Sequence, residues 1–261
     1  MNSISFLGTG SGFPSVDRFF SSTILSVASR HLLIDAGEPC VHLLRERGTL
    51  ICELDAVLLT HGHVDHVGGL PALLQGAMLL GRTKPLSIYL PGEMIAPMQA
   101  WIGALYLTEA GFGFSLQWVA WRDSESVMLE GGISVTPHAN SHLEQCYRSL
   151  PGADATRPCE SFSLEIEQED FKVLFSGDLS SAQELKPLLA QPLTVLVCEL
   201  SHLGVEELAT ALRGARIATL CVVHLSEDLS GDLESLQEKL EELISGVGDI
   251  NIPGDGESLD F

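Results

Sequence analysis

A short apolar run, Asp55-Ala56-Val57-Leu58-Leu59-Thr60, passes directly into His61-Gly62-His63-Val64-Asp65-His66. No other stretch constrains the fold as strongly. The run reads as a buried strand of the parallel type, and open α/β sheets place their sites at the C-terminal ends of such strands. His61 and His63 alternate along an extended segment, so both rings can face one point. Asp65 and His66 fall in the following turn and first helical residues, where a second ion could be caught. Imidazole and carboxylate are ligands that zinc, manganese and iron accept. The competing reading is a solvated polar loop, and the strand before and helix signal after weigh against it.

The flanking sequence alternates strands and helices. Ile4–Leu7 reads as a strand, followed by a glycine turn over Gly8-Thr9-Gly10-Ser11-Gly12. Ser22–Val27 and His31–Asp35 read as a hairpin, Pro39–Arg47 as a helix, Gly68–Leu80 as a helix and Leu86–Leu90 as a strand. The later order is similar: strands at Ile133–Thr136, Glu160–Ile166, Lys172–Ser176, Thr194–Glu199 and Thr219–His224, with helices at Val205–Leu212 and Asp232–Ser245. In the last of these, leucines recur at helical spacing with acids between them. Residues 151–158 read as a loose loop. Trp101 to Trp121 holds all three tryptophans and reads first as core, with a pocket wall or dimer interface as alternatives. The expectation is one α/β domain spanning 1–261, built of two β-rich, helix-backed halves.

Composition narrows the partners. Fourteen Lys and Arg face 35 Asp and Glu, a formal charge of −21. Holding a long nucleic acid by its phosphates needs a basic surface, so a small or short substrate is expected. Solubility alone explains the charge equally well. The six cysteines are scattered without a Cys-x-x-Cys, which reads as reduced thiols in a cytoplasm. No early stretch looks like a signal peptide, and no window is apolar for long enough to cross a bilayer.

Further ligands are needed for a binuclear site, and three later segments offer them. Pro137-His138-Ala139-Asn140-Ser141-His142 follows one strand, Ser176-Gly177-Asp178 another, and His224 ends a third. A carboxylate such as Asp178 can bridge two ions about 3.5–4 Å apart; otherwise it is a turn residue. His224 is either a ligand or a buried strand-end histidine. His138 and His142 compete for one role, with His142 preferred. Asp35 either orients a ligand histidine or caps its turn. His31 and His42 have no motif around them.

With these segments together the chain resembles the metallo-β-lactamase superfamily, and within it the ribonuclease Z-like branch. The resemblance rests on Phe6-Leu7-Gly8-Thr9-Gly10-Ser11-Gly12 with Pro14 and Arg18, on Leu33-Ile34-Asp35-Ala36-Gly37-Glu38, and on Thr60 through Pro71. Ser176-Gly177-Asp178 and the His224 strand complete it. It implies an αββα sandwich with two divalent metal ions, zinc first and manganese or iron as alternatives. By that likeness His61, His63 and His142 hold one ion, Asp65, His66 and His224 the other, and Asp178 bridges. Asp65 thereby joins the catalytic set. The branch also tends to carry a glutamate and a proton-donating histidine, and Glu199-Leu200-Ser201-His202 resembles a shortened version. A homodimer is implied by the resemblance alone.

The chain departs from ribonuclease Z in lacking a basic, glycine-rich arm between Asp178 and Glu199, and it is acidic at Glu227-Asp228. Both features point away from transfer RNA. The expected activity is cleavage of a small or cyclic phosphodiester, or an RNA end, by a metal-bridging hydroxide. A carboxylic ester, lactone or thioester hydrolase is the alternative on the same centre, and transfer RNA 3′ processing without the usual arm is another. A non-catalytic sensor and a redox di-iron site complete the set.

Overall fold

The computed structural model describes residues 2–48 and 51–261. They form two compact units, each organised on one seven-stranded mixed sheet. The first unit runs to Gly12, then from Val16 to Arg122, and takes in Gly254–Phe261; the second holds Phe13–Ser15 and Asp123–Pro253.

In the first unit, β1 (Ser3–Gly8), β2 (Ser22–Val27), β3 (Arg30–Ile34), β4 (Ala56–Leu58), β5 (Leu86–Leu90) and β6 (Leu116–Ala120) lie side by side in chain order. β1 to β3 are antiparallel, and β3 to β6 are parallel. The β2–β3 hairpin closes through Ala28 and Ser29, both at positive φ, the backbone that matches strand twist in a two-residue turn. β4 is buried at all three residues, as a parallel strand covered on both faces requires. The helices Cys40–Glu46, Leu70–Leu79 and Ile95–Ala104 bury Leu44, Leu73, Leu74, Met98 and Ile102 in one core. Pro71 sits in the first turn of its helix, where its missing N–H leaves no bond unmade. Trp121 belongs to the interior, its indole N–H donating to the Leu59 carbonyl at 2.9 Å. Trp101 is exposed on its helix.

In the second unit, β7 (Val127–Leu129), β8 (Ile133–Asn140), β9 (Ser161–Gln168), β10 (Phe171–Phe175), β11 (Leu193–Glu199), β12 (Ile217–Val223) and β13 (Val247–Asn251) again follow chain order. β7 to β10 form an antiparallel meander and β10 to β13 are parallel. The helices Val205–Ala211 and Leu233–Leu243 bury Leu208, Leu236 and Leu240 against Leu196 and Leu220. The acids of the second helix stay outside, as its spacing predicts. A last strand, β14 (Ser258–Asp260), returns to the first unit and pairs antiparallel with β1. Ahead of it, the Asp255 carboxylate accepts from Thr9 N at 2.8 Å and Thr9 Oγ1 at 2.6 Å.

Near the site, β8 differs from the sequence reading at its end. β8 continues past Thr136 to Asn140, so His138 is inside a strand. Proline favours edge positions, and pairing with β7 stops at Val135, which lets Pro137 continue the strand. The segment Ala182–Leu189 is a 3-10 helix containing Pro187. Among the described residues no helix is long and apolar enough to cross a membrane.

Candidate metal centre

In the first unit the site is built at the end of β4. Asp35, just after β3, adopts a left-handed backbone (φ 57°), which turns its carboxylate back toward that end. It accepts from Thr60 N at 2.8 Å and Thr60 Oγ1 at 2.9 Å, and meets His66 Nδ1 at 2.7 Å. Asp35 therefore orients a histidine as well as a turn. Since a carboxylate only accepts, His66 carries its proton on Nδ1 and turns the lone pair of Nε2 outward. Nε2 faces Asp65 Oδ2 at 3.4 Å. Thr60 does the same for His61: its hydroxyl donates to Asp35 and lies 3.1 Å from His61 Nδ1. That leaves His61 Nε2 to face His63 Nδ1 at 3.1 Å. His61, Asp65 and His66 are buried, and His63 is half-buried.

In the second unit the strand ends after β8, β10, β11 and β12 supply the groups. Gly177, at φ 57°, allows the tight turn that delivers Asp178 behind β10. Asp178 is 3% exposed. Its Oδ2 lies 3.6 Å from His142 Nε2 and its Oδ1 lies 3.4 Å from His224 Nε2. His142 opens the helix His142–Arg148, and His224 follows β12 in a left-handed conformation (φ 54°). That conformation is costly for a non-glycine residue, and such strain gathers at functional sites. His138 stands elsewhere, in β8 opposite Ser163.

Glu199, at the end of β11, accepts from Leu179 N at 3.1 Å and His202 N at 2.9 Å, and meets His202 Nδ1 at 3.2 Å. The His202 side chain is 34% exposed while that of Glu199 is 2% exposed. Its ring centroid lies 4.7 Å from His142 and 5.6 Å from His224. Glu199, His202 and His224 also converge closely enough to share an ion. Cys146 Sγ lies 3.9 Å from His142 Nδ1, and burial, with Asp178 nearby, pushes its thiol up.

The spacings fit a metal. Ligands about 2.1 Å from a tetrahedral zinc stand about 3.4 Å from one another. The Asp65–His66, Asp178–His142 and Asp178–His224 separations are all near that value, and all exceed a good hydrogen bond. The sequence reading gave Thr60 no role and passed over Glu184, whose carboxylate binds Ser141 and Ser180. The Ser181-x-x-Glu184 capping pattern was the available signal.

Comparison with known proteins agrees with this architecture. The metallo-β-lactamase fold protein YhfI from Bacillus subtilis superposes with a TM-score of 0.78 at 19% identity, covering 100% of both chains. The short form of human tRNase Z superposes at 0.73 with 17% identity, over 99% of this chain and 98% of that one. Ribonuclease Z of Marinobacter nauticus is 31% identical over 143 residues, 54% of this chain and 43% of its own. The chain thus spans under half the length of that curated relative. The protein has the metallo-β-lactamase fold, and over 143 residues its sequence is similar to that of ribonuclease Z. Residues 2–238 match the model of the family described as "Anti-Pycsar protein Apyc1", and the chain belongs to that family.

Proposed function

We propose that the protein is a metal-dependent hydrolase with a binuclear centre that cleaves a small or cyclic phosphodiester. One observation carries this reading: each oxygen of the buried Asp178 carboxylate faces a different histidine at ligand spacing, the arrangement of a bridging ligand. His61, His63 and His142 would hold one ion, and Asp65, His66 and His224 the other. Bound there, two divalent ions supply Lewis acidity toward phosphate oxygens and a water of lowered pKa.

The chain's own residues do the rest. Asp35 and Thr60 hold His66 and His61 in the tautomers that present Nε2. Glu199 orients His202 through Nδ1, and His202 then gives a proton from Nε2 to the leaving oxygen. Its partial exposure allows reprotonation from solvent between turnovers. The acidic composition supports a substrate with few phosphates, since a polyanion would meet repulsion.

The test is hydrolysis of bis(p-nitrophenyl) phosphate against p-nitrophenyl acetate, on protein of measured metal content, with Asp178→Ala as control. Phosphodiester cleavage that disappears in the variant is expected, followed by a screen of cyclic nucleotides and short RNA ends. Turnover of the ester alone, or unchanged phosphodiester turnover in the variant, would overturn the reading.

A further inference from the structure

Glu184 lies in the 3-10 helix Ala182–Leu189, apart from every residue assigned a ligand or proton-transfer role. Its Oε1 accepts from Ser141 N at 2.8 Å and from Ser141 Oγ at 2.8 Å. Its Oε2 accepts from Ser180 N at 3.0 Å, Ser180 Oγ at 3.3 Å and Ser181 N at 3.4 Å. Ser141 immediately precedes His142, and Ser180 is the second residue after Asp178. The two serine hydroxyls are themselves 2.5 Å apart. A capping box needs only the bond to Ser181; the bonds to Ser141 reach a segment 43 residues away.

We propose that Glu184 is a positioning residue for the metal centre: one carboxylate oxygen fixes the segment bearing His142, the other fixes the segment bearing Asp178. Together they set the separation of those two side chains. The proposal rests on the metal-centre reading above. A carboxylate suits this position because a backbone N–H donates to each of its oxygens, and it alone accepts on both. Glutamine keeps one acceptor but turns an amide N–H₂ toward backbone donors, which cannot rearrange to accept. One of the two segments must then move, and metal ligands tolerate little displacement.

Glu207 provides the control. It accepts from Ser181 Oγ at 2.7 Å and Ala182 N at 2.9 Å, holding the same helix start through different atoms. Glu184→Gln and Glu207→Gln are compared by zinc competition against a chromophoric chelator, by melting of the metal-free proteins, and by kcat and KM for bis(p-nitrophenyl) phosphate. Glu184→Gln is expected to weaken zinc about 10–100-fold and to lower kcat more than it raises KM. Glu207→Gln is expected to keep zinc affinity, with a similar metal-free Tm. Zinc affinity of Glu184→Gln within twofold of wild type, or equal weakening in both variants, overturns the proposal. If Glu184→Gln does not fold, Ser141→Ala replaces it, with weakened zinc binding expected and unchanged binding refuting the role. A wild-type protein that takes up no zinc, manganese or iron refutes the metal-centre reading itself, an outcome separate from these.

Discussion

Replacing Asp35 by Asn tests whether the first unit's histidines are set by their hydrogen-bond partners. The substitution is nearly isosteric and keeps an oxygen for Thr60 N–H, so the β4 end stays satisfied. What changes is the second oxygen, now at Oδ2, 2.7 Å from His66 Nδ1 and 2.9 Å from Thr60 Oγ1. An amide nitrogen there donates, so His66 must accept on Nδ1 and carry its proton on Nε2, the atom that faces Asp65. A protonated Nε2 cannot ligate. Restoring the ligating tautomer means setting two N–H donors against each other in a buried site. Losses of about 10–100-fold in metal affinity follow from such changes, or about 1.4–2.7 kcal/mol at 1.36 kcal/mol per decade. Thr60 Oγ1 can rotate to accept from the amide, so metal-free stability should fall by only about 1 kcal/mol. The assay is metal content after dialysis against graded chelator, beside thermal melting of the metal-free protein. Metal should be lost at a chelator concentration that wild type withstands. Metal retention within twofold of wild type would refute the tautomer argument.

Other expectations follow from packing and charge. A Cβ on Gly37 would lie 2.3 Å from the Asp65 carbonyl oxygen and 2.6 Å from Phe20 Cβ, so Gly37→Ala must push the metal-motif loop by about 1 Å, enough to lower kcat/KM about 100-fold; unchanged kcat/KM would contradict this. Burial pushes the Cys40 and Cys221 thiols up to about 12, and the Cys198 thiol further, so iodoacetamide at pH 8 should label Cys52 and Cys159 in folded protein, Cys146 more slowly because its thiol is also pushed up, and the other three only after unfolding, as read by mass spectrometry. Burial works against the Asp55 charge, but hydrogen bonds from Lys84, the His31 N–H and Arg30 outweigh it and hold the carboxyl below its ordinary value. A lowered folded pKa stabilises above the unfolded value and is lost as pH falls through the folded one. Asp55→Ala should therefore lower Tm at neutral pH, and the gap should close in strong acid; a pH-independent gap would assign the effect to packing alone.

The sequence made the metal motif and its strand legible because their signals are local. β4 is short and apolar throughout, and His61 to His66 sit within two turns of chain. Asp178 and His224 were readable because each follows an apolar strand. The edges were not. β13 and β14 bury no residue fully, and an edge strand need bury neither face, so alternation fades. The helix Ile95–Ala104 was hidden by Pro97 and Gly103, which weaken a helical pattern although packing of Met98 and Ile102 overrides them. Glu184 escaped because its role depends on Ser141, and no local pattern reports a partner so distant in sequence. His138 and His142 competed while β8 was read as ending at Thr136; the strand runs four residues further with His138 inside it, and His142 is the one that meets Asp178.

The return of the chain to β1 bears on how the protein is made. The first six strands of the opening sheet leave the ribosome early, but β14 is synthesised after the whole second sheet. Until then β1 presents an unpaired row of backbone groups, the kind of edge that recruits other chains. Asp255, which ties down Thr9, also arrives at that late moment. A nascent or prematurely terminated chain ending near Pro253 would carry a nearly finished first unit with an open side, and aggregation during synthesis would begin there.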